Sequence, residues 1–246
     1  MNFIKNNLAN AITLGNLFSG CVGAVHLING DYQTTAICII LSLILDFFDG
    51  FVARALKANS NLGTQLDSLA DMVSFGLIPG LTMFKMLEYE VEIWHYPLFL
   101  KYFGLLITLF SCLRLAIFNL DEDQKYYFKG LNTPSNTIFI FGIYYLTKFP
   151  LPESLNFLFD ENFSKVYFLP TIPFLTVATL LSSWLLISPI KMIAMKFKSM
   201  KLQDNYPKLA LLFGAILILI IFKTVGIPMV ILYYILISLI FQKQLK

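Results

Sequence analysis

Four aspartates stand close together in an otherwise apolar stretch of the chain, residues 45–76. They are Asp46, Asp49, Asp67 and Asp71, and most of their neighbours are hydrophobic enough to lie in a membrane. Ionisable side chains are rare at membrane depth, where they usually line a protein cavity and pair with one another, with a cation or with a substrate. The four acids therefore predict a functional site.

The spacing of these acids predicts how they meet. Residues three or four apart share a face of an α-helix, so Asp46 and Asp49 lie on one stripe, and Asp67 and Asp71 lie on a second stripe in the following helix. Asparagine, serine and glycine residues at 59–63 favour a turn between the two helices. We expect the turn to set the stripes face to face, with both carboxylate pairs in one cavity.

A cavity that holds four carboxylates requires cations. Buried like charges do not persist unpaired, and two divalent metal ions match the formal charge of four acids. No histidine or cysteine lies in residues 45–76, and a ligand set made only of oxygen favours Mg²⁺ or Mn²⁺ over zinc. Two such ions about 3.5–4 Å apart clamp the attacking and leaving oxygens of a phosphoryl displacement. The acids thus indicate metal-assisted phosphoryl transfer.

Residues beside the acids suit a phosphate-containing substrate. Gly50, Ala53 and Gly63 are small, which leaves room for a bulky polyphosphate next to the helices. Arg54 adds a planar fork of donors that stays protonated. We expect a phosphate to bind at these residues.

The acids and their neighbours form the pattern D-x-x-D-G-x-x-A-R, followed after eight residues by G-x-x-x-D-x-x-x-D. This pattern resembles the signature of the CDP-alcohol phosphatidyltransferases, and every fixed position is filled. Those positions are Asp46, Asp49, Gly50, Ala53, Arg54, Gly63, Asp67 and Asp71. Eight fixed residues at fixed spacing are a specific signal, unlike a lone glycine motif. The resemblance implies an all-α integral membrane protein with the helical bundle of that family.

The resemblance also implies a role for each residue of the pattern. The metal ligands are expected to be the four acids, Asp46, Asp49, Asp67 and Asp71. Among them, Asp71 is expected to serve also as the general base. The cytidine nucleotide is expected to lie against the small residues and the arginine, Gly50, Ala53, Arg54 and Gly63.

Stretches outside the pattern are similar to one branch of the family, the bacterial enzymes that make phosphatidylserine. These stretches are residues 10–20, 74–80, 114–119 and, more loosely, 130–136. Two positions depart from that branch, because Ile117 replaces a basic residue and Asn132 replaces a proline. The likeness implies CDP-diacylglycerol and L-serine as substrates, phosphatidylserine and CMP as products, and a homodimer.

Recognition of serine requires a cation for its carboxylate and acceptors for its ammonium group. Arg114 is the only arginine besides Arg54, so we expect it to bind the carboxylate. The alternative is an arginine near a helix end that snorkels to the membrane interface. Asn119, Ser74 and Asn16 are further candidates for acceptor binding, although small polar residues also serve as ordinary helix–helix contacts in membranes.

The composition of the whole chain is that of an integral membrane protein. Of its 246 residues, 57% are hydrophobic and only 13% are charged, which argues against a soluble domain, and nothing indicates nucleic-acid binding. About 20 apolar residues cross a bilayer, so we expect eight spans in a single membrane domain, 1–246, with the catalytic helix pair at 33–87. The candidate spans are 11–29, 33–56, 65–87, 98–118, 135–150, 166–190, 208–223 and 226–242.

The lysines predict how these spans are oriented in the lipid bilayer. Basic residues accumulate on the cytoplasmic side, and an inside N-terminus puts eleven lysines inside against five outside. Both termini, a basic loop at 191–208 and the aspartate cavity then face the cytoplasm, and the resemblance points to a bacterial inner membrane. Residues 1–10 lack the pattern of a signal peptide, so we interpret the first span as an uncleaved helix with a polar stripe at Asn10, Thr13 and Asn16.

Other functions fit parts of the sequence. A divalent-cation or proton-coupled transporter also places acids in a membrane, but transporters tend to be built from repeated halves, and we find no such repeat. His26 and Asp31 match the H-x4-D pattern of glycerolipid acyltransferases, but they fall at the predicted outer surface, away from the aspartates.

Within the phosphatidyltransferase class, glycerol 3-phosphate or an inositol phosphate is the alternative acceptor. Such a phosphorylated acceptor would require more basic residues around it than Arg114 alone.

Overall fold

The computed structural model describes residues 2–56, 60–121, 127–149, 168–194, 202–242 and 244, and within them the chain is mostly helical. The α-helices are α1 (Asn2–Ile28), α2 (Tyr32–Ala55), α3 (Asn61–Asp71), α4 (Ile78–Trp94), α5 (Leu106–Leu120), α6 (Thr133–Leu146), α7 (Ile172–Ile187), α8 (Leu202–Phe222) and α9 (Gly226–Ile240). A π-helix, Met72–Leu77, joins α3 to α4, and a 3₁₀-helix, Leu98–Leu105, leads into α5. Two short strands are also present, β1 (Tyr127–Lys129) and β2 (Lys191–Ile193).

The chain packs as two compact units, residues 1–116 and 117–246. In the first unit, α1 and α2 form a hairpin whose turn contains Gly30 at a φ of 82°, a conformation that favours glycine. Buried hydroxyls join the two helices, and among them Ser19 Oγ donates to the backbone oxygen of Cys38 at 2.9 Å. Small polar side chains of this kind let helices approach closely in a membrane.

The third predicted span is one continuous helical stretch, Asn61–Trp94. Ser60 caps its first turn, because its Oγ accepts a hydrogen bond from the backbone N–H of Gly63 at 3.0 Å. The π-helix inside this stretch begins directly after Asp71. Segments of π-helix are rare and occur often at functional sites. The backbone geometry therefore changes immediately after the last of the four aspartates.

Helix α5 packs against the π-helix and α4 at two glycines. The Oγ1 of Thr108 donates to the backbone oxygen of Gly76 at 3.1 Å, and a Cβ at Gly80 would lie 2.0 Å from the same Oγ1. A Cβ at Gly76 would lie 3.2 Å from the Cβ of the buried Ser111. Arg114 follows Ser111 by three residues, so this contact places it on the face of α5 that meets the aspartate-bearing stretch.

The second unit is built around α9 and a small sheet. Strands β1 and β2 pair antiparallel, with Phe128 opposite Met192, and the hydroxyl of Tyr234 donates to the backbone oxygen of Ile193 at 3.0 Å. Asn132, which stands where a proline was expected, caps α6 by accepting from the N–H of Ser135 at 2.7 Å. The core of this unit is formed by Leu131, Leu185, Met192, Ile193, Leu211, Ile231, Tyr234 and Ile237.

The all-α, membrane-spanning class of fold is confirmed. Among the described residues, five helical stretches are long and apolar enough to cross a membrane. They are Asn7–Ile28, Tyr32–Ala55, Asn61–Trp94, Leu98–Leu120 and Asn205–Phe222. Helices α7 and α9 are apolar but shorter. Each of the eight predicted spans overlaps a helix, while eight crossings in a single membrane domain stay a prediction.

Two features differ from the sequence-based expectations. The small sheet was not predicted, because three-residue strands are too short to display the alternation of a strand. The bounds predicted for the basic loop, 191–208, are wrong at both ends, since β2 starts at Lys191 and α8 starts at Leu202. Residues 195–201 of that segment, and residues 57–59 of the turn predicted between α2 and α3, lie outside the described residues.

Candidate active site

Three of the four aspartates converge on one point. One carboxylate oxygen from each of Asp46, Asp49 and Asp67 lies within 4.8 Å of the other two. The first two come from the last turns of α2, and the third comes from α3. Asp49 is buried, and the other two are half-buried. The two helices therefore bring their acidic stripes together, as the spacing predicts.

Asp71 joins this cluster from the end of α3. Its carboxyl group lies within hydrogen-bonding distance of that of Asp46, and it is close enough to Asp49 and Asp67 for electrostatic repulsion. The guanidinium group of Arg114 is close enough to attract it, and this side chain is only 7% exposed. A buried cation thus offsets part of the charge that the four acids concentrate here.

One face of α1 lies against the acids. The hydroxyl of Thr13 lies beside the carboxylate of Asp49, and the side-chain Nδ2 of Asn16 donates to Oδ1 of Asp71 at 3.4 Å. The amide of Asn10 approaches the first turn of α3. The sequence reveals this stripe as a run of polar residues, but only the structure places it beside the cluster. Thr13 is accordingly a site residue that the motif does not include.

The residues expected to bind the nucleotide lie next to the cluster. A Cβ at Gly50 would lie 3.2 Å from Nη1 of Arg54, so the absence of a side chain gives the guanidinium room to fold back along α2. There it interacts electrostatically with Asp49 and stays exposed. Ala53 and Gly63, the other two residues of this group, are half-buried. Their contact with a nucleotide stays a prediction.

The residues expected to bind the acceptor alcohol fall into three environments. Arg114 is buried beside Asp71, which favours a role in the site over snorkelling to the interface. Asn119 is exposed, and five residues further along α5 it occupies a different face of that helix. Asn16 and Ser74 are fully buried and hydrogen-bonded to each other. Their direct contact with an acceptor stays a prediction.

The donor atoms of the cluster fit a divalent cation. Oδ2 of Asp49 is buried and has no hydrogen-bond partner among the described residues. Such an oxygen is unfavourable unless a donor or a cation satisfies it. The group that converges here, Asp46, Asp49 and Asp67, offers carboxylate oxygens only, the donors that Mg²⁺ and Mn²⁺ prefer. We therefore regard the cluster as a candidate metal centre.

The fold and the site together define an integral membrane protein with a cluster of aspartates suited to phosphoryl transfer. The family described as CDP-alcohol phosphatidyltransferase matches residues 6–160, a range that contains the complete aspartate pattern. The chain belongs to this family. Its members generally depend on divalent metal ions, in agreement with the acidic cluster.

Several relatives carry the name CDP-diacylglycerol–serine O-phosphatidyltransferase. The protein of Bacillus subtilis is 34% identical over 123 residues, which cover 50% of this chain and 67% of the relative. The protein of Helicobacter pylori strain J99 is 30% identical over 135 residues, 53% of this chain and 54% of the relative. The protein of Saccharomyces cerevisiae is 31% identical over 161 residues, which cover 58% of this chain and 55% of the relative. The chain thus spans about two thirds of the first relative and about half of the other two.

Proposed function

We propose that this protein transfers the phosphatidyl group of CDP-diacylglycerol to the hydroxyl group of L-serine, giving phosphatidylserine and CMP. The observation that carries the proposal is the convergence of Asp46, Asp49 and Asp67, with Asp71 and Arg114 beside them. Serine as the acceptor is supported by the relatives, since all those described above are named for transfer to serine.

The proposed reaction is a displacement at the phosphorus that bears the diacylglycerol. The serine hydroxyl oxygen forms the new bond to phosphorus, the bond from phosphorus to CMP breaks, and the carboxylate of Asp71 takes the hydroxyl proton. Two divalent ions, Mg²⁺ or Mn²⁺, would supply charge neutralisation and acidify the alcohol when bound. Asp46, Asp49, Asp67 and Asp71 would hold these ions through their oxygens.

Each of the two arginines would bind one negatively charged group of the substrates. The exposed guanidinium of Arg54 is available to the diphosphate of the nucleotide, with Gly50, Ala53 and Gly63 leaving room for it. The buried guanidinium of Arg114 is offered to the carboxylate of serine, which matches its planar fork of donors. Serine would then lie with its hydroxyl group next to Asp71, which Arg114 attracts.

A phosphorylated alcohol is the rival acceptor. Glycerol 3-phosphate or an inositol phosphate carries about two negative charges at neutral pH, whereas the serine carboxylate carries one. Among the residues described in the first unit, Arg114 is the only buried arginine. One buried cation matches serine better than a phosphorylated alcohol.

The acceptor is tested by supplying the purified protein with CDP-diacylglycerol, Mn²⁺ and one radiolabelled alcohol at a time. We expect label from serine in the lipid fraction, with equimolar release of CMP, and no label from glycerol 3-phosphate or inositol phosphate. Asp67→Asn serves as the control, because it keeps the size of the side chain and removes one carboxylate from the cluster. Incorporation of another alcohol, or none at all, would contradict the proposal.

We also propose that the site opens to the cytoplasm, with both termini on that side of a bacterial inner membrane. The distribution of lysines along the chain supports this orientation. Labelling of single cysteines introduced at either end of α2 tests it in sealed vesicles. Assembly as a homodimer remains a prediction from the family resemblance.

A further inference from the structure

Two fully buried polar side chains connect α1 to the fourth aspartate. Ser74 Oγ lies 2.8 Å from Oδ1 of Asn16, and Nδ2 of Asn16 donates to Oδ1 of Asp71 at 3.4 Å. Both Asn16 and Ser74 have no exposed surface. The three side chains form a continuous chain of polar contacts from the π-helix through α1 to the end of α3.

The chemistry of these groups fixes which way the amide of Asn16 points. A carboxylate only accepts hydrogen bonds, whereas an amide has a donating nitrogen at one end and an accepting oxygen at the other. With the hydroxyl of Ser74 donating to Oδ1, the nitrogen is left facing Asp71. In the reversed amide, two oxygens would face each other at Asp71. The carboxylate of Asp71 therefore selects the orientation in which Nδ2 of Asn16 faces it, and Oδ1 of Asn16 is then left to accept from the hydroxyl of Ser74.

We propose that Asn16 and Ser74 are positioning residues, which hold the carboxylate of Asp71 in the orientation that it needs toward the other three aspartates. The proposal rests on the proposed function, because it concerns the residue assigned there as base and metal ligand. Groups that hydrogen-bond to a metal ligand orient it, and their removal commonly weakens metal affinity or activity by about 10–100-fold.

The competing explanation is that both residues only join helices. Small polar side chains often do so in membranes, and Ser42 offers a matched comparison. It is also fully buried, and its Oγ donates to the backbone oxygen of the same Asn16 at 3.4 Å. Ser42 contacts Asn16 at this backbone oxygen. Ser74 Oγ also lies 3.1 Å from the same backbone oxygen, but it lies 2.8 Å from the side-chain Oδ1 as well, so of these two serines it is Ser74 that belongs to the chain of side chains reaching Asp71.

The test compares Ser74→Ala, Ser42→Ala and the unmodified protein. Binding of Mn²⁺ is measured without substrate, from the electron paramagnetic resonance of the free ion, and thermal unfolding is recorded for each. We expect Ser74→Ala to weaken Mn²⁺ binding by about tenfold or more, while Ser42→Ala binds Mn²⁺ as the unmodified protein does. Equal Mn²⁺ affinity in all three proteins would overturn the proposal.

Turnover provides the second measurement. We expect Ser74→Ala to lower kcat and to leave the KM for CDP-diacylglycerol unchanged, because the variant misplaces a reacting group and leaves the nucleotide site intact. Should Ser74→Ala not fold, Asn16→Ala removes the same link from the other side and is measured in the same way. If the unmodified protein transfers nothing to serine, the proposed function is refuted. The Mn²⁺ measurement is made without substrate, so it tests the positioning role whichever alcohol is the acceptor.

Discussion

Ser74 Oγ on the π-helix lies 2.8 Å from Oδ1 of Asn16 on α1. One turn further along α1, a Cβ at Gly20 would lie 2.3 Å from the same Oγ. The two helices approach this closely because position 20 carries no side chain. A helix without any aspartate thus determines the surroundings of Asp71.

Gly20→Ala tests this close approach. The added methyl group must displace Ser74, so we expect phosphatidyl transfer to fall by about tenfold or more and the melting temperature to drop. Gly15→Ala on the same helix is the control, because its Cβ would lie 3.5 Å from Cδ1 of Leu45, an ordinary contact. Equal activity of the two variants would show that the approach at Gly20 does not matter.

Asp71→Asn tests the proposed base. The amide keeps the size of the side chain but cannot take a proton, so we expect release of CMP to fall by about 10²–10⁴-fold, with normal insertion into the membrane. Glu90→Gln is the matched control, since Glu90 is a buried acid in the same helical stretch but outside the cluster. Turnover of Asp71→Asn at the unmodified rate would remove this residue from the mechanism.

Arg114→Ala separates the two substrates. If Arg114 binds the carboxylate of serine, the KM for serine rises by about 10–100-fold, as expected for a lost hydrogen bond between charged groups, and the KM for CDP-diacylglycerol changes little. Lys101→Ala is the control, because Lys101 lies in the same helical stretch but pairs with Glu88 at 2.9 Å. An equal rise of both KM values would refute the assignment.

Asp31→Ala tests whether the pair His26 and Asp31 takes part in chemistry. Oδ1 of Asp31 accepts from the N–H of Thr34 at 3.0 Å, and Oδ2 lies 3.0 Å from Nδ1 of His26. Hydrogen bonds from Thr34, and more weakly the contact with His26, hold the pKa of Asp31 below its usual value. This carboxylate therefore stabilises the start of α2 at neutral pH, and that contribution is lost as the pH falls through the lowered pKa.

We accordingly expect Asp31→Ala to lower the melting temperature at pH 7, to have less effect in acid, and to leave transfer to serine unchanged. Unfolding curves at several pH values and the transfer assay check these outcomes. Loss of transfer without loss of stability would instead connect the H-x4-D pattern with the reaction.

The sequence predicts the aspartate cluster well because helical periodicity fixes the relation between Asp46 and Asp49, and between Asp67 and Asp71. A short connection between the two helices then leaves few ways to arrange the pairs. Each step is local, so it can be followed from spacing alone.

The contribution of α1 could not be predicted in this way. Asn16 meets Ser74 and Asp71 across more than fifty residues of chain, and a polar residue in a span equally suits an ordinary helix contact. The π-helix depends on a shift of backbone hydrogen bonds that no residue pattern marks. These two features bring Asn16 and Ser74 into contact with each other.

The central claim is that the four aspartates hold divalent cations where the lipid diphosphate reacts. The most direct test is a structure of the protein with Mn²⁺ and CDP-diacylglycerol, in which anomalous scattering locates the ions. We predict Mn²⁺ among the carboxylates of Asp46, Asp49, Asp67 and Asp71, next to the diphosphate. Mn²⁺ bound elsewhere, with none among these carboxylates, would contradict the account.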